Sequence, residues 1–348
     1  MIITIYNYIG ALIGAGFASG QEILTFFVKY GRLGGVGVVI SSVIFGVFAY
    51  FILALAVEKR CYNYETIILN ICNKRIGTAL KWVTFAFSLG VYAVMMSCFG
   101  ELCSVIFGWE SIVGTVIMTI MCALLLMCGE KLVLRVNGIL GIITVCGIIG
   151  ATFYMLMTRE QQTFFSGARA VAESGAYAGY NLLGAGVILC SLAKEIKSKS
   201  EAALVGIISG GLMFIMMSAV FLLLSMYNNR ISLGELPMLT MAMRSGTGTV
   251  VVYSLMLICA LITTAVAGGL SIIKISQKHI GKKISVLMIS ILALLASNAG
   301  FSGLISSVYR VLGYVGMILL LVFVILAVKQ QKTMKKEENE RLSEKKQV

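Results

Sequence analysis

Leu12-Ile13-Gly14-Ala15-Gly16-Phe17-Ala18-Ser19-Gly20-Gln21-Glu22 is the stretch that decides how this chain folds. It lies inside an apolar segment, 2–28, long enough to cross the ~30 Å hydrocarbon layer of a bilayer. Backbone facing lipid has to satisfy its own hydrogen bonds, so a glycine-dense, helix-weakening tract is tolerated there only where it lines a cavity. Ser19, Gln21 and Glu22 follow the glycines directly and add polar and ionisable groups. A helix interrupted at the bilayer midplane, offering free amides and carbonyls, is how secondary transporters build substrate and ion sites.

The composition supports a polytopic membrane protein. Of 348 residues, 59% are hydrophobic and 12% charged, and the mean hydropathy is +0.97. Apolar stretches recur at roughly 2–28, 34–57, 81–108, 111–128, 131–157, 171–193, 203–226, 248–273, 284–298 and 302–328. These ten predicted spans leave no room for a separate soluble domain. They place both termini on one side of the membrane, together with 21 of the 28 Lys and Arg residues, and this asymmetry makes that side cytoplasmic. The net charge of +13 therefore reflects topology and contact with anionic lipid in the cell membrane, not nucleic-acid binding. The N-terminus lacks a basic region and a small-residue cleavage pattern, so the first span is expected to be retained.

Enzyme chemistry finds no support. The nine cysteines are scattered without metal-ligand spacing, and His279 stands alone in a basic loop. There is no nucleophile–base arrangement and no nucleotide-binding loop. Tyr64–Cys72 reads as a short amphipathic helix between spans 2 and 3, and Pro237 opens a short helix between spans 7 and 8. Residues 329–348 form a charged cytoplasmic tail.

Ten spans divide into two sets of five, 1–157 and 158–328. Leu12-Ile13-Gly14-Ala15-Gly16 in span 1 recurs as Leu182-Leu183-Gly184-Ala185-Gly186 in span 6. Five spans apart, the two copies run in opposite directions, and paired interruptions in inverted halves point to a transporter binding site. Close helix packing is the other reading of such small-residue spacings.

The interrupted first span, its echo in span 6 and the five-plus-five pattern resemble the amino acid–polyamine–organocation superfamily with the LeuT fold. Along nearly its whole length the chain looks like the YkvI-type integral membrane proteins of Gram-positive bacteria. The resemblance implies an all-α protein with discontinuous helices 1 and 6. Sodium-coupled members hold one sodium on carbonyls of span 1 and on an Ala-x-x-(Thr/Ser)-(Thr/Ser) stretch of span 8. Here those positions are Gly10 and Ile13, with Ala260, Thr263 and Thr264. Back-bonding of the two threonines within their own helix is the competing account. A solute carboxylate would sit on the amides of Ala15, Gly16 and Phe17, with Gly184 and Gly186 opposite and the Tyr92 hydroxyl beside it. Tyr180 and Asn181, just before the second motif, are expected to face the same cavity.

Three ionisable residues fall well within predicted spans: Glu22, Glu101 and Arg310. Charges in hydrocarbon are expensive, so they pair or face water. On the resemblance, Glu22 and Arg310 would form an outer gate between spans 1 and 10; Glu101 lies at similar depth, so Arg310 could pair with either glutamate or both, and a static pair between neighbouring helices is the competing account. The base of the pocket then holds no acidic residue, which argues against polyamines. Span 5 lacks the mid-membrane lysine of some proton-coupled relatives.

The expected function is sodium-coupled secondary transport of a small amino-acid-like solute, with no other cofactor. A sensor built on a carrier fold and a proton-coupled carrier are the alternatives.

Overall fold

In the computed structural model, residues 1–60, 62, 74–157, 170–226, 234–297, 311, 313–318 and 325 are described. Every regular element among them is helical. Among the described residues, seven helices are long and apolar enough to cross a membrane, so the chain is a multi-pass membrane protein. The expected tenth span falls outside the described residues except for 311, 313–318 and 325. Arg310 and the predicted Tyr64–Cys72 helix also lie outside them.

The first span is broken twice. Helix α1 (Ile2–Leu12) stops where the Gly14 amide turns back to the Leu12 carbonyl, 3.1 Å, instead of reaching Gly10. Gly14 is extended, at φ −81° and ψ 176°, and a short helix α2 (Ala15–Ser19) follows. Gly20 then enters the left-handed region at φ 83°, which favours a residue without a β-carbon, and α3 (Gln21–Phe26) sets off in a new direction. Ser19 ties the second break together: its Oγ donates to Gly16 O at 3.2 Å and accepts from Gln21 N at 3.3 Å.

The remaining helices are α4 (Arg32–Lys59), α5 (Lys74–Phe107), α6 (Ser111–Cys128), α7 (Glu130–Met157), α8 (Ala170–Leu192), α9 (Lys199–Ser225), α10 (Pro237–Ser245), α11 (Thr247–Ile280) and α12 (Lys282–Ser297). The broken span sits among α7, α8, α9 and α11, while α4 packs on α8 and α9, and α11 packs on α5 and α7. Hydrogen bonds pin the centre to its frame. Tyr8 Oη donates to Phe45 O on α4 at 2.8 Å, and Tyr253 Oη on α11 donates to Ala18 O at the break. The α8 window is 94% buried, against 33% for α6 and 39% for α7, so α8 is central and α6 and α7 turn apolar faces outward to lipid.

One expectation is corrected here. Helix 6 is not interrupted: α8 runs unbroken through Gly184-Ala185-Gly186. Those glycines serve close packing, with Gly184 against the Phe87 ring and Gly186 against the Phe48 ring. The short helix opened by Pro237 is present and packs inward. Met238 and Met241 are fully buried, and the Met238 side chain lies directly over Gly20.

Candidate functional site

The double break creates two adjoining features. The first is a cluster of oxygens at the end of α1. Losing the Gly14 amide as a partner takes the Gly10 carbonyl out of its helix's ladder. Thr264, on α11, crosses to this point: its hydroxyl lies 2.5 Å from Ile13 O and 3.3 Å from Gly10 O. Thr263 instead donates to Ala260 O, 2.8 Å away in its own helix. The back-bonding account thus describes Thr263 and fails for Thr264. Close approach makes this possible, since a β-carbon on Gly10 would stand 3.7 Å from Thr263 Cβ and 3.7 Å from Gly141 Cα.

The second feature is a narrow cavity beside that cluster. Ala11, Gly14 and Glu22 of the first span form one wall, and Phe87, Ser88 and Val91 of α5 another. Tyr180, Asn181 and Gly184 of α8 face Thr264, Ala267 and Gly268 of α11 to complete it. Tyr180 also stands in a ring cluster, with centroids 5.5 Å from Tyr177, 5.8 Å from Phe26 and 6.0 Å from Phe87. Asn181 Nδ2 donates to Tyr177 O at 3.0 Å, which leaves its amide oxygen as the acceptor.

Glu22 is not where a gate would put it. The left-handed turn at Gly20 swings its side chain back over the first break. It is 1% exposed and lines the cavity, and a β-carbon built on Gly16 would stand 2.2 Å from Glu22 Oε1. The hydroxyls of Tyr177 and Tyr180 face the carboxyl, Oε2 finds no hydrogen-bond partner among the described residues, and no described cation lies against it. The expectation of a pocket without an acidic group is therefore overturned. Glu101, only half-buried on α5, has the carboxylate of Glu235 as its charged neighbour and does not join Glu22. Arg310, the third gate residue, is outside the described residues.

Of the other predicted site residues, Tyr92 turns away from the cavity. Its ring lies against Gly269, on the side of Cys122 and Ser290, and one helical step earlier Ser88 takes the cavity-facing position. Phe17 is fully buried outside the lining, Gly16 is covered by Glu22, and Ala15 belongs to the short helix α2. Gly186, packed on Phe48, is also outside the lining.

Sequence reasoning missed Ser88, whose buried Oγ finds no partner among the described residues. It also missed Lys274 on α11, which joins Glu130 Oε1 at the start of α7, 2.7 Å, to Ser191 Oγ near the end of α8. Ser88 had no signal beyond being a polar residue in a span. Lys274 and Glu130 both stood near predicted span ends, where charge is ordinary.

No family model matches the sequence. The chain is 25% identical over 328 residues, covering 90% of it and 92% of the relative, to the uncharacterized membrane protein YkvI of Bacillus subtilis (strain 168). It is likewise 25% identical over 320 residues to the uncharacterized protein YyaD of the same organism. Its fold is that of LeuT-like transporters. It matches a Na⁺-coupled sialic acid symporter with a TM-score of 0.71 over 94% of this chain and 78% of the other, at 11% identity. The manganese transporter of Eremococcus coleocola matches with a TM-score of 0.59 at 14% identity, over 93% of this chain and 86% of the transporter. The nucleobase-cation-symport-1 family transporter Mhp1 also gives 0.59, at 12% identity, over 94% of this chain and 75% of Mhp1.

Proposed function

We propose that this chain is a secondary active transporter that moves a small amino-acid-like solute together with sodium, by alternating access around the broken first span. The shared fold supports transport over an enzymatic role. One observation carries the ion assignment: Gly10 O, Ile13 O and Thr264 Oγ1, from helices far apart in sequence, converge on one point beside the cavity. Sodium is a hard cation that takes oxygen ligands. With Ala260 O and Thr263 Oγ1 one turn away on α11, five neutral oxygens are available to it. A transition metal as cargo is less well matched, because no group of three or more His, Cys, Asp or Glu side chains comes together among the described residues.

On this reading the ten spans form two inverted sets of five, 1–157 and 158–328, with both termini and the 329–348 tail cytoplasmic. Sodium at the end of α1 would hold the break in one geometry and so couple its own occupancy to the shape of the adjoining cavity. Spans 1, 2, 6 and 7 would rock against the rest to expose the site to either side. The test is uptake into proteoliposomes under an inward sodium gradient, with potassium as control. Accumulation of a small solute only with sodium is the expected result, and uptake indifferent to sodium would remove the coupling assignment.

A further inference from the structure

We propose that Glu22 reads the solute's charge: it receives the solute's ammonium group, so the cavity binds amine-bearing solutes amine-first and rejects those offering only a carboxylate. The inference deepens the transporter reading above, and it needs only the cavity, not turnover. It reverses the orientation that the sequence resemblance implies, in which a solute carboxylate lies on the amides of the broken span.

Three observations carry it. The chain's own carboxyl already covers Gly16 and reaches Gly14, where a β-carbon would stand 3.7 Å from Oε1. A second carboxylate brought to this place would meet a like charge in a water-poor setting, where Coulomb interactions are strong. Second, Glu22 is 1% exposed, lines the cavity, and keeps Oε2 without a hydrogen-bond partner among the described residues. A carboxyl buried like this stays ionised only where a countercharge is supplied, and an ammonium supplies one. Third, the remaining lining includes acceptors that an ammonium's donors can use. Asn181 gives one N–H to Tyr177 O and keeps its amide oxygen as an acceptor, while Ser88 Oγ is buried and without a partner among the described residues. An ammonium has three N–H donors and no acceptor, and so suits such a lining. The Phe87 and Tyr180 rings, 6.0 Å apart, add aromatic surface that attracts a cation.

The experiment uses the purified full chain in detergent, in sodium buffer, with leucine, isopentylamine (its amine without the carboxylate) and isocaproate (its carboxylate without the amine). Thermal stabilisation and calorimetric affinity are read for wild type, Glu22→Gln and Glu22→Asp. Leucine or isopentylamine should stabilise wild type and isocaproate should not. Glu22→Gln should weaken amine binding at least about tenfold, as loss of a charge-assisted bond does, and Glu22→Asp should recover part of it. Stabilisation of Glu22→Gln by sodium, matching wild type, would show that the variant is folded. The proposal is overturned if isocaproate binds as well as the amine, if neither amine-bearing probe binds, or if Glu22→Gln binds the amine like wild type. It is also overturned if Arg310→Gln reproduces the Glu22→Gln phenotype in full, because Arg310 would then be the partner of the carboxyl. Sodium-driven uptake separates this outcome from the transporter reading. Amine binding lost in Glu22→Gln without any wild-type uptake would sink transport and leave Glu22's role standing. Uptake unaffected by Glu22→Gln would do the reverse.

Discussion

Glu22 Oε1 lies 2.2 Å from where a β-carbon on Gly16 would stand, so the carboxyl occupies the space that the missing side chain leaves open. The atoms met there are the far part of one flexible side chain. Gly16→Ala should therefore move the carboxyl and leave the backbone intact. Alanine also favours helix over glycine by about 1 kcal/mol, so melting should change by no more than about that amount. Solute affinity should fall at least about tenfold. A variant that melts far below wild type would show that the backbone, and not the carboxyl, yields.

Gly20→Ala should behave differently. Gly20 sits at φ 83°, and a β-carbon would come within 2.6 Å of Met238 Cγ. The left-handed conformation alone costs a residue with a β-carbon about 1–2 kcal/mol, and crowding against Met238 adds to this. A clear fall in melting temperature is expected, together with loss of both sodium and solute responses, because this turn aims Glu22. Unchanged stability would mean that the second break tolerates a side chain and is not what fixes the cavity wall.

Much of this was legible in the sequence, and the parts that were not share one cause. Gly10, Ile13 and Thr264 could be paired because the resemblance to sodium-coupled carriers brought the span 1 carbonyls and the Ala260-to-Thr264 motif together, and the backbone supplies two of the three. The first break was legible because glycines and polar residues together weaken a helix in hydrocarbon, where loosened backbone is tolerated only beside a cavity. Side-chain direction was not. Depth along a straight helix sends Glu22 outward, and only the turn at Gly20 brings it back. In the same way Tyr92 and Ser88 lie about one helical turn apart on one face of α5, and which of them meets the cavity depends on how deep the cavity sits along that helix. The Gly184 motif resembled the first in letters but lies in an unbroken helix with aromatic neighbours, so glycine there means contact.

The two threonines separate the ion reading from simple packing. Thr264→Ala removes the hydroxyl that spans to Ile13 and Gly10, while Thr263→Ala removes one bonded to Ala260 O in its own helix. Thr264→Ala should raise the sodium concentration for half-maximal stabilisation at least about tenfold, with a smaller shift for Thr263→Ala. Equal, small effects from both would place them as ordinary membrane threonines.

Tyr92→Phe should leave solute affinity within about twofold of wild type, since its ring lies by Gly269 outside the cavity. Ser88→Val should weaken solute binding by crowding the wall and removing an acceptor. Binding titrations on both variants decide the matter: a large loss in Tyr92→Phe alone would restore the hydroxyl's role as a solute ligand.

Lys274 joins α11 to α7 and α8 through Glu130 and Ser191, at the end of the bundle opposite α10. The pair is part-exposed, Lys274 at 23% and Glu130 at 41%, so its direct contribution to stability is about 0–1 kcal/mol. Its position gives it a larger effect on opening than on folding, because it bridges helices that have to separate if the cavity is to reach that side. Cys190, next to Ser191 and 1% exposed, reports on this. In Lys274→Met the rate of Cys190 modification by a small permeant thiol reagent should rise several-fold with little change in melting, and Lys274→Arg should stay near wild type. The comparison is made against a Cys190→Ser background so that the other thiols are subtracted. An unchanged rate in Lys274→Met would make the bridge a static link, with opening controlled elsewhere in the bundle.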